Sequence, residues 1–271
     1  VDQATPYYER FTSAFPTVHD LAEADRDEVM RLWEGLGYYS RARRLHEAAG
    51  QIVSEHAGEV PSSWDAISEL PGVGPYTAAA VLSIAHDEPH AVLDGNVKRV
   101  LSRVWAVDDV VSRAPVKRRL RALANELLNP DRPGDFNQAL MELGATVCTP
   151  TSPRCETCPL ESVCRAHADG EEEAYPVKKE RKPVPHHDVA VGLVRNDAGE
   201  LLIQKRPDDG LLGGLWEFPG GKQKDGETLS ETCRRELREE IDVEVRVGGL
   251  FHRLRHAYSH FKITLHAFDC R

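Results

Sequence analysis

Cys148-Thr149-Pro150-Thr151-Ser152-Pro153-Arg154-Cys155-Glu156-Thr157-Cys158-Pro159-Leu160-Glu161-Ser162-Val163-Cys164 separates two kinds of sequence, and its reading decides the fold. Four cysteines in a C-x6-C-x2-C-x5-C spacing share one short stretch. Thiolates so close together are soft, anionic ligands, suited to a tetrahedral zinc ion or to a cubane iron–sulfur cluster. Spacing alone does not separate the two. Disulfide pairing is disfavoured, because the first residues carry no secretory pattern. Cys233 and Cys270 lie elsewhere and read as ordinary core or surface residues.

Upstream of this loop the apolar spacing is helical throughout. Val29, Leu32, Trp33 and Leu36 recur at three- and four-residue steps, with Asp25 as the expected N-cap and Gly37 as the stop. Ser40 is placed to cap the next helix, whose buried stripe is Leu45, Ala48, Ile52 and Val53. Further helices are expected over 76–86, 97–107, 115–128 and 135–143. Downstream the composition turns polar, with Glu171, Glu172, Glu173, Lys178, Lys179, Lys182, Pro183 and Pro185, the signature of a linker. Beyond it Val189, Val191 and Leu193 alternate, 196–199 supplies a turn, and 201–203 and 261–268 read as strands. The expected organisation is multidomain: an all-α domain over 1–168 holding the cysteine loop at 148–164, a linker over 169–186, and an α+β domain over 187–271.

Bulk properties constrain less. The chain of 271 residues is 41% hydrophobic and 29% charged, an ordinary globular balance long enough for two cores. No apolar run approaches the roughly 18–20 residues needed to span a bilayer. The net charge of −10 argues mildly against a nucleic-acid partner. Arg41, Arg43 and Arg44, then Lys98, Arg99 and Arg103, nevertheless form basic clusters, for which a solvated helix face is the simplest reading. Val1 starts inside a helical pattern without an initiator Met, and Arg271 ends a strand-like run with no closing element, so residues are expected to be missing at both ends.

Three further stretches carry chemistry. Leu70-Pro71-Gly72-Val73-Gly74 places two glycines around one apolar residue, a tight turn between helices. The backbone N–H groups of Gly72, Val73 and Gly74, with the following helix N-terminus, can hold a DNA phosphate without side-chain charge. Leu93-Asp94-Gly95-Asn96-Val97 sets a carboxylate at a helix start, where the ordinary reading is an N-cap. In the second domain, Gly221, Glu227 and Arg235-Glu236-Leu237-Arg238-Glu239-Glu240 form a glycine–glutamate–REUxEE pattern. Glu236, Glu239 and Glu240 fall at i, i+3 and i+4 of a helix, one face of carboxylates suited to Mg²⁺ and a pyrophosphate.

In this order the motifs resemble the MutY family of adenine DNA glycosylases, helix-hairpin-helix repair proteins with an iron–sulfur loop and a Nudix-like domain behind it. The resemblance implies a 4Fe–4S cluster on Cys148, Cys155, Cys158 and Cys164, and DNA contacts from Gly72, Val73 and Gly74. It implies that Asp94 faces the sugar of a flipped nucleotide, where a carboxylate stabilises the positive charge of N-glycosidic cleavage. Asn96 would support Asp94, Gln138 would line the adenine pocket, and Tyr38 would wedge beside the lesion. Bifunctional relatives carry a lysine nucleophile where this chain has Tyr76; a phenol cannot form a Schiff base, so a monofunctional enzyme is implied.

The implied partner is double-stranded DNA with adenine opposite 8-oxoguanine or guanine, bound by a monomer in the cytoplasm of a bacterial-type cell, at the nucleoid and not at a membrane. His256-Ala257-Tyr258-Ser259-His260 resembles the family's 8-oxoguanine loop, with Tyr258, Ser259 and His260 as the reading residues. Asp242 departs from the Nudix pattern, which prefers glycine after the helix. The family's catalytic glutamate falls in a segment before the point matched by Val1, and impaired excision by these residues alone is therefore expected. Glu9 and Glu34 do not match it. Three readings stay open: the glycosylase, a Nudix nucleotide pyrophosphohydrolase fused to a DNA-binding module, and a lesion-binding protein without catalysis. An endonuclease III-like pyrimidine glycosylase is a weaker fourth, disfavoured by Tyr76 and the second domain.

Overall fold

The computed structural model describes residues 4–180, 183–207, 212–258 and 260–271. Two compact units divide the chain, Val1–Glu180 and Arg181–Arg271. Among the described residues the first is helical and the second holds all the strands. This matches the expected fold class. No helix among them is long and apolar enough to cross a membrane.

In the helical unit the run is α1 (Thr5–Ala14), α2 (Val18–Glu23), α3 (Arg26–Trp33), α4 (Ser40–Glu55), α5 (Trp64–Ser68), α6 (Pro75–Ala85), α7 (Gly95–Val104), α8 (Ala114–Leu127), α9 (Pro133–Thr146) and α10 (Arg165–Ala168). Asp25 caps α3 by accepting from the Asp27 N–H at 2.8 Å. The helix does not reach Gly37. It ends at Trp33, because Gly35, Gly37 and Tyr38 all take positive φ and the backbone leaves the helical region early. Ser40 is the first residue of α4 and not its cap; Tyr39 holds that place.

Two apolar clusters build this unit. Ala48, Ile52, Ile67, Leu70, Ala78 and Leu82 join α4, α5 and α6. Leu93, Val97, Leu101, Val116, Leu120 and Ala124 join α7 and α8. Glycines let α9 come close: a Cβ on Gly134 would lie 2.6 Å from the Ser83 carbonyl oxygen, and one on Gly144 would lie 2.6 Å from the Asn96 Cβ. Buried Asn137 locks the arrangement. Its Oδ1 accepts from the Val92 N–H at 3.0 Å, while Nδ2 donates to Ser83 Oγ and to the His90 carbonyl, both at 2.9 Å.

The second unit is a mixed sheet with one helix on it. Strands β1 (His186–Val194), β4 (Gly220–Lys222), β5 (Val247–Ala257) and β6 (Lys262–Cys270) lie in the order β4-β1-β6-β5, with β1 parallel to β6 and the other pairs antiparallel. A separate ribbon pairs β2 (Gln204–Lys205) with β3 (Trp216–Glu217). The expected turn forms: Gly199 has φ +82, and Asn196 Oδ1 accepts from the N–H groups of Ala198 and Glu200. The strand expected over 201–203 reduces to one bridge between Arg195 and Leu201, and regular pairing begins at Gln204. Helix α11 (Leu229–Ile241) covers one sheet face through Cys233 and Leu237, against Ala190, Phe268 and Cys270. Gly192 permits this approach, since a Cβ there would lie 2.8 Å from Leu237 Cδ2.

Candidate functional site

The hairpin forms between α5 and α6. Gly72 is required twice, by its φ of +81 and by a neighbour: an added Cβ would lie 2.8 Å from the Arg44 Cβ. Gly74 is the N-cap of α6 with no side-chain cap, and Pro75 follows at the first helical position. Tyr76 is the second residue of α6 and is exposed, as is Tyr38. Tyr38 sits at φ +50 with the Arg41 guanidinium 5.2 Å from its ring centroid. Tyr39 differs, because its hydroxyl oxygen accepts from the Gly35 N–H at 3.2 Å.

Asp94 is the N-cap of α7. Its Oδ1 accepts from the Val97 N–H at 2.7 Å and its Oδ2 from Asn96 Nδ2 at 3.0 Å. The contact extends inward: Asn96 Oδ1 accepts from Arg99 Nη2 at 2.9 Å, and Arg99 also donates to the carbonyls of Gly144 and Cys148. A continuous hydrogen-bonded path thus joins Asp94 to the cysteine loop. Gln138 lies exposed on α9, with Nε2 donating to the Gly134 carbonyl at 3.2 Å. Lys98, one helical turn from Asp94, is half-buried; burial lowers its pKa, Lys117 and Arg121 lower it further, and Asp94 opposes them.

The four loop cysteines line one small cavity with Arg103, Glu161, His167 and Glu172. All four are unpaired thiols. Burial pushes the Cys155 thiol up to about 11, with Glu172 and the neighbouring cysteines adding to it, and burial raises Cys164 as well. Crowded thiolates that repel one another need a shared cation to ionise together, so the donor set fits a sulfur-ligated metal centre. Cys155, His167 and Glu172 also place one ligand atom each within 4.8 Å of the others. Arg103 holds the loop from within. It is 1% exposed and donates to Cys148 Sγ at 3.2 Å and to the carbonyls of Thr149, Pro150 and Tyr175. The solvated-face reading therefore fails for Arg103. A helical period places it one turn beyond Arg99, but only the packed loop turns that face inward.

In the second unit the Nudix-type pattern forms its loop and helix. Arg235 grips Glu227 through Nε at 2.5 Å and Nη2 at 2.9 Å, and its Nη1 donates to Glu236 at 2.7 Å and Glu239 at 3.0 Å. Glu240 accepts from Gln204 Nε2 at 2.6 Å and from the Gly220 N–H at 3.1 Å. Among the described residues, Glu236, Glu239 and Glu240 do not gather their oxygens within 4.8 Å of one another. Asp242 adopts the left-handed C-cap at φ +54, a conformation aspartate tolerates, which accounts for its standing where glycine is usual. At the β5–β6 tip, Tyr258 and Phe261 pack with ring centroids 4.7 Å apart and help to line a cavity of about 510 Å³ with Trp216 and Phe218. His260 packs against Phe261, and Ser259 lies outside the described residues.

Comparison with known proteins agrees with this division. A family profile described as "HhH-GPD superfamily base excision DNA repair protein" matches residues 1–130, and one described as "NUDIX domain" matches residues 190–271. The chain is similar to a solved thermostable thymine-DNA glycosylase, 29% identical with a TM-score of 0.56, over 61% of this chain and 76% of that one. An adenine DNA glycosylase of Rattus norvegicus is 39% identical over 310 residues, 97% of this chain but 60% of the rat protein. The chain thus spans about 60% of that relative's length. The adenine DNA glycosylase of Schizosaccharomyces pombe is 36% identical over 316 residues, 99% of this chain and 68% of the yeast protein. With a hairpin, a capping aspartate, a cysteine loop and a Nudix-type helix in one order, and with 99% of its own length matched to 68% of the yeast protein, this chain belongs to the adenine DNA glycosylase family.

Proposed function

We propose that this chain is the core of a base-excision repair enzyme that hydrolyses the N-glycosidic bond of adenine paired with 8-oxoguanine or guanine in duplex DNA. The observation that carries the reading is Asp94, a carboxylate held at a helix start by Val97 and Asn96 within the hairpin-bearing unit. As the C–N bond breaks, positive charge grows on the sugar. A fixed carboxylate stabilises that charge without reorganising. Asn96 orients Asp94 through one oxygen, and the backbone orients it through the other.

The hairpin of Gly72, Val73 and Gly74 holds a phosphate, Tyr38 fills the space beside the lesion pair, and Gln138 contacts the extruded adenine. Tyr76 supplies no amine, so the enzyme releases base without cutting the strand. It acts as a monomer. Protonation of the leaving adenine is assigned to neither Glu9 nor Glu34, which are exposed surface residues. Cys148, Cys155, Cys158 and Cys164 would hold a 4Fe–4S cluster, whose iron neutralises the four thiolates and fixes the loop in one geometry. Arg103 and Arg99 transmit that geometry to α7.

Tyr258, Ser259 and His260 read the 8-oxoguanine. This role for the second unit is preferred to Mg²⁺-dependent nucleotide hydrolysis because Glu236 and Glu239 share Arg235 while Glu240 is taken by Gln204 and Gly220.

Single-turnover base release tests the reading, with adenine opposite 8-oxoguanine compared with adenine opposite cytosine or thymine. Slow release, confined to the lesion pair, is expected, without nicking before alkali. Asp94→Asn should slow it at least ~100-fold while the fold survives, because asparagine caps a helix as well as aspartate does. Lesion-selective binding with no release by the wild type would favour the non-catalytic lesion binder.

A further inference from the structure

Residues 113–125 carry Arg113, Lys117, Arg118, Arg119 and Arg121 and no acid, within a chain whose acids outnumber its bases 44 to 34. Helix α8 buries Val116, Leu120 and Ala124, and Lys117 and Arg121 form the row beside that stripe, four residues apart. Arg113 belongs to the same row, but its guanidinium is paired with Asp109 at 3.0 Å. Lys117 and Arg121 have no ion pair or side-chain hydrogen bond among the described residues.

Across the α7–α8 contact, Lys98 lies within electrostatic reach of both. The one anion acting on Lys98 to oppose them is Asp94, a single helical turn away. Lys98 is therefore a half-buried cation facing two further cations and one carboxylate. A polyanion laid along α8 would match Lys117 and Arg121 and reach Lys98 across the α7–α8 contact.

We propose that Lys98, Lys117 and Arg121 form a phosphate track that carries the DNA backbone away from the nucleotide held at Asp94. The track extends the duplex contact beyond the hairpin, and it rests on the reading of this chain as a DNA glycosylase. The ligand is recognised by charge and spacing alone, so the track is indifferent to base sequence and to the lesion.

The test uses the whole chain and an undamaged duplex, with affinity measured by fluorescence anisotropy across a range of salt concentrations. Each phosphate contact adds about 0.9 to the slope of log K against log[salt]. Lys117→Ala and Arg121→Ala should each lower the slope by about 0.9, and the double variant by about 1.8. Arg113→Ala should leave it unchanged, because that side chain is already matched by Asp109. Circular dichroism checks that the variants, altered at exposed or half-exposed positions, keep their helices. A wild type that binds duplex and a double variant that binds with the same slope would overturn the track while sparing the glycosylase reading. A wild type that binds no DNA at any salt would overturn that reading and the track with it. Equal slopes on DNA with loss of polyglutamate binding in the double variant would also overturn the track, in favour of an acidic protein partner.

Discussion

Arg103 in the helical unit and Arg235 in the sheet unit each organise a loop, but against opposite chemistry. Arg103 is interior and donates to three carbonyls and one cysteine sulfur. Arg235 donates to three carboxylates, Glu227, Glu236 and Glu239. The first arginine leaves the cysteines' negative charge for another cation to meet. The second meets part of its carboxylates' charge itself, one guanidinium against three carboxylates. One set of ligand residues already shares an internal cation, while the other, on the proposed reading, is served by a bound cluster. A motif of ligand residues therefore says less than the account of which cations already serve them.

The contrast breaks most readily at Arg103. Arg103→Met keeps the length of the side chain but strands the carbonyls of Thr149, Pro150 and Tyr175, at a cost of about 3–5 kcal/mol. Urea unfolding of the purified chain should show the loss, and iron content should fall with it. A midpoint equal to wild type would mean that the loop is held by something else.

Next in size is Gly72→Ala, which sets a Cβ against the Arg44 Cβ at an unfavourable φ and should cost about 1–3 kcal/mol. Its weakening of duplex affinity should exceed what the stability loss explains, which comparing binding with melting would show.

The Arg235 side is sharpened by pH. Hydrogen bonds from Arg235, and then from the Lys224 N–H and Thr232, hold the Glu227 carboxyl at about 2, below its ordinary 4.5. A depressed carboxyl stabilises the fold above its unfolded value, and that contribution disappears as pH falls from 4.5 towards 2. The melting temperature of Glu227→Gln should therefore lie below wild type at neutral pH and converge with it near the acid end. A constant gap across that window would show that the Glu227 charge is not what Arg235 needs.

The smallest effect is at the end of α11. Asp242→Gly relieves a left-handed residue and should stabilise the sheet unit by about 0.5–1 kcal/mol, read from its urea midpoint.

Much of this organisation was legible in the chain. The helical period placed α4 and α6 to α9 within a few residues, and Asp25 was identified as a cap. The early end of α3 was not, because Tyr38 gives no sign that it will adopt φ +50. The strand expected over 201–203 was lost for a related reason: apolar residues announce strand propensity, but pairing depends on a partner edge. At the candidate site, Asp94 and Asn96 were named together and do touch. Spacing alone makes Lys98, Arg99 and Arg103 one surface cluster, yet Arg103 is interior and Arg99 bonds the Gly144 and Cys148 carbonyls.

Sequence by itself determined the two-unit plan, the approximate place of the longer helices and the spacing of the cysteines, since periodicity and ligand intervals are properties of neighbouring residues. Tertiary structure decided which charges are already matched. Arg103 reaches a carbonyl 72 residues away, and Asn137 joins segments 45 to 54 residues distant. Such matches exist only once faces have met, because a buried donor must find an acceptor within about 3 Å wherever in the chain it lies.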